Sequence, residues 1–128
     1  MSNAQGVADA FHHALAAQDW SGLRALMTDD ARWVLPGTSQ VSGDASGGDA
    51  VVERAKLIAR YGMRFDVQHV LVSAHNVALF QHNTAKSWGT TFTEYVAAVC
   101  RLRDGYIEEI ETYVSHLDGF DRFFRASP

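Results

Sequence analysis

The sequence predicts an α+β domain in which helices pack on one face of a curved, mostly antiparallel sheet. Helix-forming segments occupy the first half of the chain, and β-rich segments separated by turns occupy the second half. This order is typical of a fold whose helices lie together on one side of an antiparallel sheet. The chain has 128 residues, of which 47% are hydrophobic, so residues 1–128 are treated as one domain with its own core.

The first half contains three predicted helices. Residues 5–17 are rich in alanine and repeat apolar side chains at helical spacing. Asp19 occupies the N-cap position of a short second helix that includes Met27. Asp49 is the expected N-cap of a third helix over residues 50–61.

A strand and a loop separate the second helix from the third. Residues 31–35 are predicted to form a short strand, which Pro36 and Gly37 end. Residues 38–48 are polar and rich in glycine, so we expect a loop there.

The second half reads as antiparallel strands joined by turns. Asp104-Gly105 is a strong two-residue hairpin signal. Strands are predicted over residues 65–72, 77–85, 90–103 and 106–115, with turns at 74–76 and 87–89. After Asp118 and Gly119 we expect a short aromatic tail containing Phe120, Phe123 and Phe124.

The composition argues against several partners and compartments. A net charge of −4 and a pI near 5.8 disfavour nucleic acid or an anionic membrane as the main partner. No apolar run approaches the roughly 18–20 residues of a membrane span, and no secretory signal is recognisable at the N-terminus. The single cysteine, Cys100, excludes an internal disulfide and fits a reducing compartment, so we expect a cytoplasmic protein.

Several short sequence motifs, and their order along the chain, resemble those of SnoaL-like proteins. Residues 19–37 (DWSGLRALMTDDARWVLPG), 41–43 (VSG) and 48–51 (GDAV) resemble the first half of those proteins. Residues 100–107 (CRLRDGYI), followed by Tyr113 and Asp118, resemble their last hairpin. The resemblance covers nearly the whole chain. It implies the cone-shaped fold shared by ketosteroid isomerase and nuclear transport factor 2, with three helices against a strongly curved sheet.

The resemblance does not extend to the ketosteroid isomerase mechanism. That enzyme uses a carboxylate base together with a tyrosine and a protonated aspartate as oxyanion hole. When this catalytic pattern is aligned with the present chain, the base falls at Leu35, the tyrosine at Phe11 and the second acid at Ala98. All three side chains are apolar and cannot move a proton or donate to an enolate.

The resemblance also indicates which side chains face the inside of the cone. Alternation along each strand groups the side chains into two faces but does not say which face is inner, so the resemblance supplies that choice. The residues expected to line an apolar ligand pocket are Phe11, Trp33, Leu35, Gln81, Asn83, Phe92, Val96, Ala98, Thr112 and Val114.

Glu94 is the candidate catalytic residue. On the inner face, among Phe92, Val96 and Trp33, its carboxylate would be partly removed from water, an environment suited to acid–base catalysis. The alternative is a solvated carboxylate near the open mouth of the cone. Gln81 and Asn83 are expected either to hydrogen-bond a ligand or to pair with cross-strand neighbours.

The histidines do not form a recognisable metal site. His12 and His13 are adjacent on a helix and point apart, and no His-x-x-x-His or Cys-x-x-Cys spacing occurs. We therefore expect no metal and no cofactor. His13 or His69 beside the pocket is an alternative general base, and a surface histidine is the simpler interpretation.

Three functions remain open at this point. The first is a small-molecule-binding SnoaL-like protein acting as an isomerase, polyketide cyclase or dehydratase by acid–base chemistry. The second is a non-catalytic protein that binds a small, largely apolar molecule in the same pocket. The third is an interaction module that uses its sheet face.

The outer sheet face predicts a homodimer. Phe80, Val99 and Tyr113 fall on that face, where apolar side chains are surrounded by charged ones. Dimers through this face also occur among the proteins that the chain resembles. We expect no nucleic-acid or membrane partner.

Overall fold

The computed structural model describes residues 3–87, 89–125 and 127–128 and contains helices on one side of a single sheet. The helices are α1 (Ala4–Ala17), α2 (Trp20–Ala25), α3 (Gly48–Ala59) and α4 (Leu117–Arg125). The strands are β1 (Met27–Leu35), β2 (Gly43–Ser46), β3 (Arg64–Val72), β4 (Asn76–Ser87), β5 (Thr90–Arg103) and β6 (Tyr106–Val114). No helix in these described ranges combines the length and hydropathy needed to cross a membrane.

The six strands form a curved sheet in the order β2-β1-β6-β5-β4-β3. Strands β3 to β6 form an antiparallel meander, and β2 pairs antiparallel to β1. Strand β1 joins the meander by pairing parallel to β6, with Trp33 opposite Ile110. The helices cover the inner face, which gives the α+β cone predicted from the sequence.

The hairpin between β5 and β6 turns at Asp104 and Gly105, as predicted. Both residues have positive φ, 54° and 83°. This is the backbone geometry of the two-residue turn that Asp-Gly favours, since glycine adopts positive φ without steric cost. The β4–β5 connection was predicted as a turn over residues 87–89, and its Trp88 lies outside the described residues.

The described residues form four helices, whereas the sequence predicted three. The predicted aromatic tail is helix α4, and its Phe120, Phe123 and Phe124 are buried. Because these residues are three and four positions apart, they lie on one helical face. They pack with Tyr61 and Phe92, and the ring centroids of Tyr61 and Phe124 are 4.8 Å apart.

The predicted loop over residues 38–48 contains strand β2. Its third residue, Ala45, lies opposite Trp33 in the β1–β2 pairing and is buried. A four-residue strand with a single inward side chain has too short an alternation to be recognised in the sequence.

The ends of two helices also differ from the prediction. Asp19 caps α2 as expected and accepts a 3.0 Å hydrogen bond from the Gly22 N–H. The helix stops at Ala25, however, and Met27 begins β1, because pairing with Ile107 of β6 outweighs its helical preference.

Helix α3 begins at Gly48, so Asp49 is in its first turn and is not the N-cap. The Asp49 carboxylate instead accepts a 2.9 Å hydrogen bond from Arg24 of α2. The ion pair connects the two helices.

Candidate ligand-binding site

A cavity lies between the inner face of the sheet and helices α1, α3 and α4. The centre of a water-sized sphere can occupy about 60 Å³ of it. Most of the residues that were predicted to line a pocket border this cavity: Phe11, Trp33, Leu35, Gln81, Asn83, Phe92, Val96, Ala98 and Thr112. Their role in binding a ligand stays a prediction.

The cavity is also lined by residues that were not predicted to border a pocket. They are Leu15, Ala55, Ile58, Met63, Phe65, Ile110, Phe120 and Phe124. Those from α1 and α3 carried a helical apolar pattern, but the pattern alone does not distinguish core from cavity wall. Phe120 and Phe124 were missed because α4 was not predicted as a helix.

The structure does not bring Val114 to the cavity. It is half-buried and packs against the core at the end of β6, just before the chain leaves the sheet. Alternation placed Val114 on the correct face, but the cavity ends before this position.

The three positions aligned with the ketosteroid isomerase machinery converge on the cavity. Phe11, Leu35 and Ala98 all line it, from α1, β1 and β5 respectively. Since none of these side chains can exchange a proton, this part of the wall offers only apolar contact.

Three polar side chains interrupt the apolar wall of the cavity: Gln81, Asn83 and Thr112. The indole N–H of Trp33 donates a 2.9 Å hydrogen bond to the hydroxyl of Thr112. That hydroxyl keeps its own proton, which it can donate to an acceptor. The Trp33–Thr112 bond fixes the indole ring against the cavity.

The amides of Gln81 and Asn83 lie two residues apart on β4 and therefore share the inner face. Gln81 is 4% exposed and Asn83 is 6% exposed. Oδ1 of Asn83 is buried and has no hydrogen-bond partner among the described residues. Buried amide oxygens are nearly always paired in folded proteins, so this atom is unusual.

Glu94 is not among the residues that line the cavity. It is 5% exposed, and its Oε1 accepts hydrogen bonds from Ser115 Oγ at 2.8 Å and from the His116 backbone N–H at 2.7 Å. Gly119 of α4 lies next to Oε2. The carboxylate therefore holds the junction between β6 and α4. Its burial is at odds with the solvated alternative, and its role as a catalytic base stays a prediction.

The two candidate histidine bases also lie away from the cavity wall. His13 is exposed on α1. His69 is exposed on β3, where its ring stacks with that of Phe80 at a centroid distance of 6.1 Å. Across the described part of the chain, no three His, Cys, Asp or Glu side chains come together as a metal-binding group.

Arg54 of α3 contacts both the backbone and the ring of Trp33. Its guanidinium donates to the backbone oxygens of Trp33 and Gly43 at 3.0 and 2.9 Å, and it lies 5.5 Å from the Trp33 ring centroid. Burial lowers the pKa of Arg54, because the charged form loses contact with water. No sequence pattern indicates this contact, which joins residues 21 positions apart.

Hydrogen bonds to the residues after β1 hold helix α4 over the cavity. Asp121 accepts hydrogen bonds from the backbone N–H and the hydroxyl of Thr38, at 3.0 and 3.4 Å. A side chain on Gly37 would collide with the same carboxylate, so this contact requires glycine there. Gln40 donates a further 2.9 Å bond to the backbone oxygen of Arg125.

The SnoaL-like domain family model matches residues 8–110. The chain therefore belongs to the SnoaL-like family, as the resemblance implied. No curated protein matches the sequence.

Solved structures of low sequence identity share the fold over almost the whole chain. Bal32a, from a soil-derived mobile gene cassette, is 24% identical, with a TM-score of 0.87 and coverage of 95% of this chain and 98% of that one. A Xanthomonas campestris protein with a cystatin-like fold is 22% identical, with a TM-score of 0.87 and coverage of 97% and 99%. TerC, co-crystallised with polyporic acid, is 21% identical, with a TM-score of 0.81 and coverage of 94% and 97%.

Proposed function

We propose that the protein binds an uncharged, largely apolar small molecule in the cavity and does not transform it by acid–base chemistry. The observation that carries this proposal is the composition of the cavity wall. Among the described residues that line it, none carries a charge, and only Gln81, Asn83 and Thr112 are polar. A wall of this kind suits apolar contact with a few orienting hydrogen bonds.

The aromatic side chains favour a planar ligand. Five different elements contribute rings to the wall, through Phe11, Trp33, Phe65, Phe92 and Phe120. Aromatic rings pack favourably against one another in offset or edge-to-face arrangements. The co-crystallisation of TerC with polyporic acid supports a small-molecule role for a protein of this fold.

The absence of charge in the wall argues against an ionised ligand. Burying a carboxylate or an ammonium group without a partner of opposite charge is strongly unfavourable. It also argues against proton transfer, because Glu94 does not line the cavity and its Oε1 is engaged with Ser115 and His116. A non-catalytic binding protein therefore fits the wall better than an isomerase, cyclase or dehydratase.

Titration calorimetry with 2-methylnaphthalene, an apolar aromatic probe, tests this proposal. We expect saturable binding to the wild type and its loss in Ala98→Phe, because the added ring fills the cavity. Thr91→Phe adds the same ring on the exposed outer face of β5 and is the matched control. Leu35→Phe replaces Ala98→Phe if that variant does not fold.

Two results would contradict the proposal. One is equal binding to wild type and to folded cavity-filled variants, since the probe would then lie elsewhere. The other is chemical conversion of a bound compound at a rate that the cavity-filling variants abolish, which would restore the enzyme hypothesis.

We further propose that two copies pair through the outer sheet face. Tyr95 and Tyr113 are 49% and 54% exposed, and the Phe80 and Tyr95 rings are stacked at 5.8 Å. Val99 lies beside them on β5 and is half-buried. Such a continuous aromatic and aliphatic surface is typical of an interface, and two-fold pairing is its commonest use.

A further inference from the structure

We infer that the ligand presents a hydroxyl or N–H group to Oδ1 of Asn83, so that the cavity selects uncharged aromatic compounds carrying a hydrogen-bond donor. This inference rests on the proposed function and adds the identity of the recognising atom and the polarity of the group recognised.

The starting observation is a buried acceptor without a donor. Asn83 is 6% exposed, its side chain lines the cavity, and no described residue donates a hydrogen bond to Oδ1. An amide oxygen in this position accepts but cannot donate. A complementary group must therefore bring a proton.

The flanking strands cannot supply that proton. In the sheet register, Asn83 stands between Phe65 of β3 and Glu94 of β5. Phe65 has no polar atom. Glu94 accepts bonds from Ser115 and His116, and it forms no hydrogen bond with Oδ1 of Asn83.

The surrounding wall limits what else the ligand can carry. Phe65, Phe92 and Val96 line the cavity near Asn83 on neighbouring strands, and no charged side chain among the described residues lines it. A donor that is itself charged, such as an ammonium group, would therefore have no counter-charge. A phenol-type hydroxyl or an aromatic N–H meets both requirements.

The test compares two probes that share a ring system, one with a hydroxyl and one in which a methyl group replaces the hydroxyl proton. 2-Naphthol and 2-methoxynaphthalene share one ring system, but only the naphthol has a proton to give. We expect the naphthol to bind the wild type about tenfold more tightly, as one hydrogen bond to an otherwise unpaired buried acceptor implies. Calorimetric titration of both probes measures this ratio.

Asn83→Leu is the decisive variant because leucine has a similar size and no polar atom. We expect the ratio to fall to about one, with the affinity for 2-methoxynaphthalene retained. Asn76→Leu, on the same strand but outside the cavity, is the matched control and should keep the wild-type ratio. Asn83→Ala serves if the leucine variant does not fold.

Each alternative result overturns a distinct part of the inference. Equal affinities of the two probes for the wild type remove the donor requirement while leaving the proposed function intact. A naphthol preference that persists in Asn83→Leu removes Asn83 as the recognising residue. Failure of both probes, together with failure of 2-methylnaphthalene, overturns the proposed function and this inference with it.

Discussion

Oε1 of Glu94 accepts a 2.7 Å hydrogen bond from the backbone N–H of His116, the residue that precedes helix α4. The same oxygen accepts the Ser115 hydroxyl. A carboxylate in the middle of the sheet thus fixes the direction in which the chain leaves β6. Helix α4 then places Phe120 and Phe124 in the cavity wall.

Removing the Glu94 carboxylate should destabilise the fold more than it affects the cavity. We expect Glu94→Ala to lower the free energy of unfolding by about 2–3 kcal/mol, since two hydrogen bonds to a buried carboxyl group are lost. Glu94→Gln keeps an acceptor oxygen and should cost about 1 kcal/mol. Denaturant unfolding measures both values, and Glu111→Gln, an exposed carboxylate on β6, is the control. Unchanged stability of Glu94→Ala would contradict this role.

Breaking the contact between Asp121 and Thr38 should loosen α4. We expect Asp121→Ala to lower stability by about 1 kcal/mol and to speed amide hydrogen exchange over Leu117–Arg125. Asp121→Asn retains an acceptor for the Thr38 N–H and should exchange more slowly than the alanine variant. Identical exchange in all three proteins would show that the contact does not hold the helix.

The proposed dimer is tested by placing charge on the outer sheet face. The double variant Phe80→Asp, Val99→Asp should be monomeric, because loss of a large aromatic anchor at an interface centre typically costs about 2 kcal/mol or more of association. Sedimentation velocity distinguishes the two states, with Thr91→Asp, exposed on β5, as control. A wild type that sediments as a monomer at micromolar concentration would refute the dimer.

The protein should not isomerise a β,γ-unsaturated ketosteroid faster than buffer does. Leu35, Phe11 and Ala98 line the cavity at the positions where that reaction needs a base and two hydrogen-bond donors. Absorbance of the conjugated product measures the rate. Turnover clearly above the buffer rate would mean that another residue supplies the base.

Cys100 should be unreactive in the folded protein. It is fully buried, and burial raises the pKa of its thiol to about 12, since the thiolate is poorly solvated there. Near pH 8 a disulfide reagent should modify the thiol only after denaturation. With the pKa raised in the fold, stability should fall as pH rises from about 9 towards 12. Rapid labelling of the native protein would contradict this burial.

Most of the fold follows from local sequence signals. The Asp104-Gly105 turn sets the pairing next to it, Arg103 with Tyr106 and Leu102 with Ile107, and the register then shifts between Leu102 and Arg101. Alternation along β5 and β6 identifies the side chains that share a face. The resemblance to SnoaL-like proteins supplied the choice of inner face. Helix α4 was not predicted, because three phenylalanines within nine residues indicate only an apolar segment. The surface on which they pack is formed by the tertiary structure.

The site was less predictable than the fold. Alternation places Glu94 on the inner face, but it does not tell where a long side chain ends, and here it reaches Ser115 and His116. The unpaired oxygen of Asn83 has no signature in the sequence, since pairing depends on residues brought together by the sheet. Arg54 over Trp33 is likewise a product of tertiary structure.

The parallel pairing of β1 with β6 has a consequence for biosynthesis. Arg32 and Glu109, which form a 2.6 Å ion pair across these strands, are 77 residues apart in the chain. Since the chain is made from its N-terminus, β1 can pair with β2 early but lacks its β6 neighbour until most of the chain has been made. The cavity is completed later still, when α4 emerges. We therefore expect nascent chains that end before Leu117 to expose the aromatic wall and to require protection from aggregation.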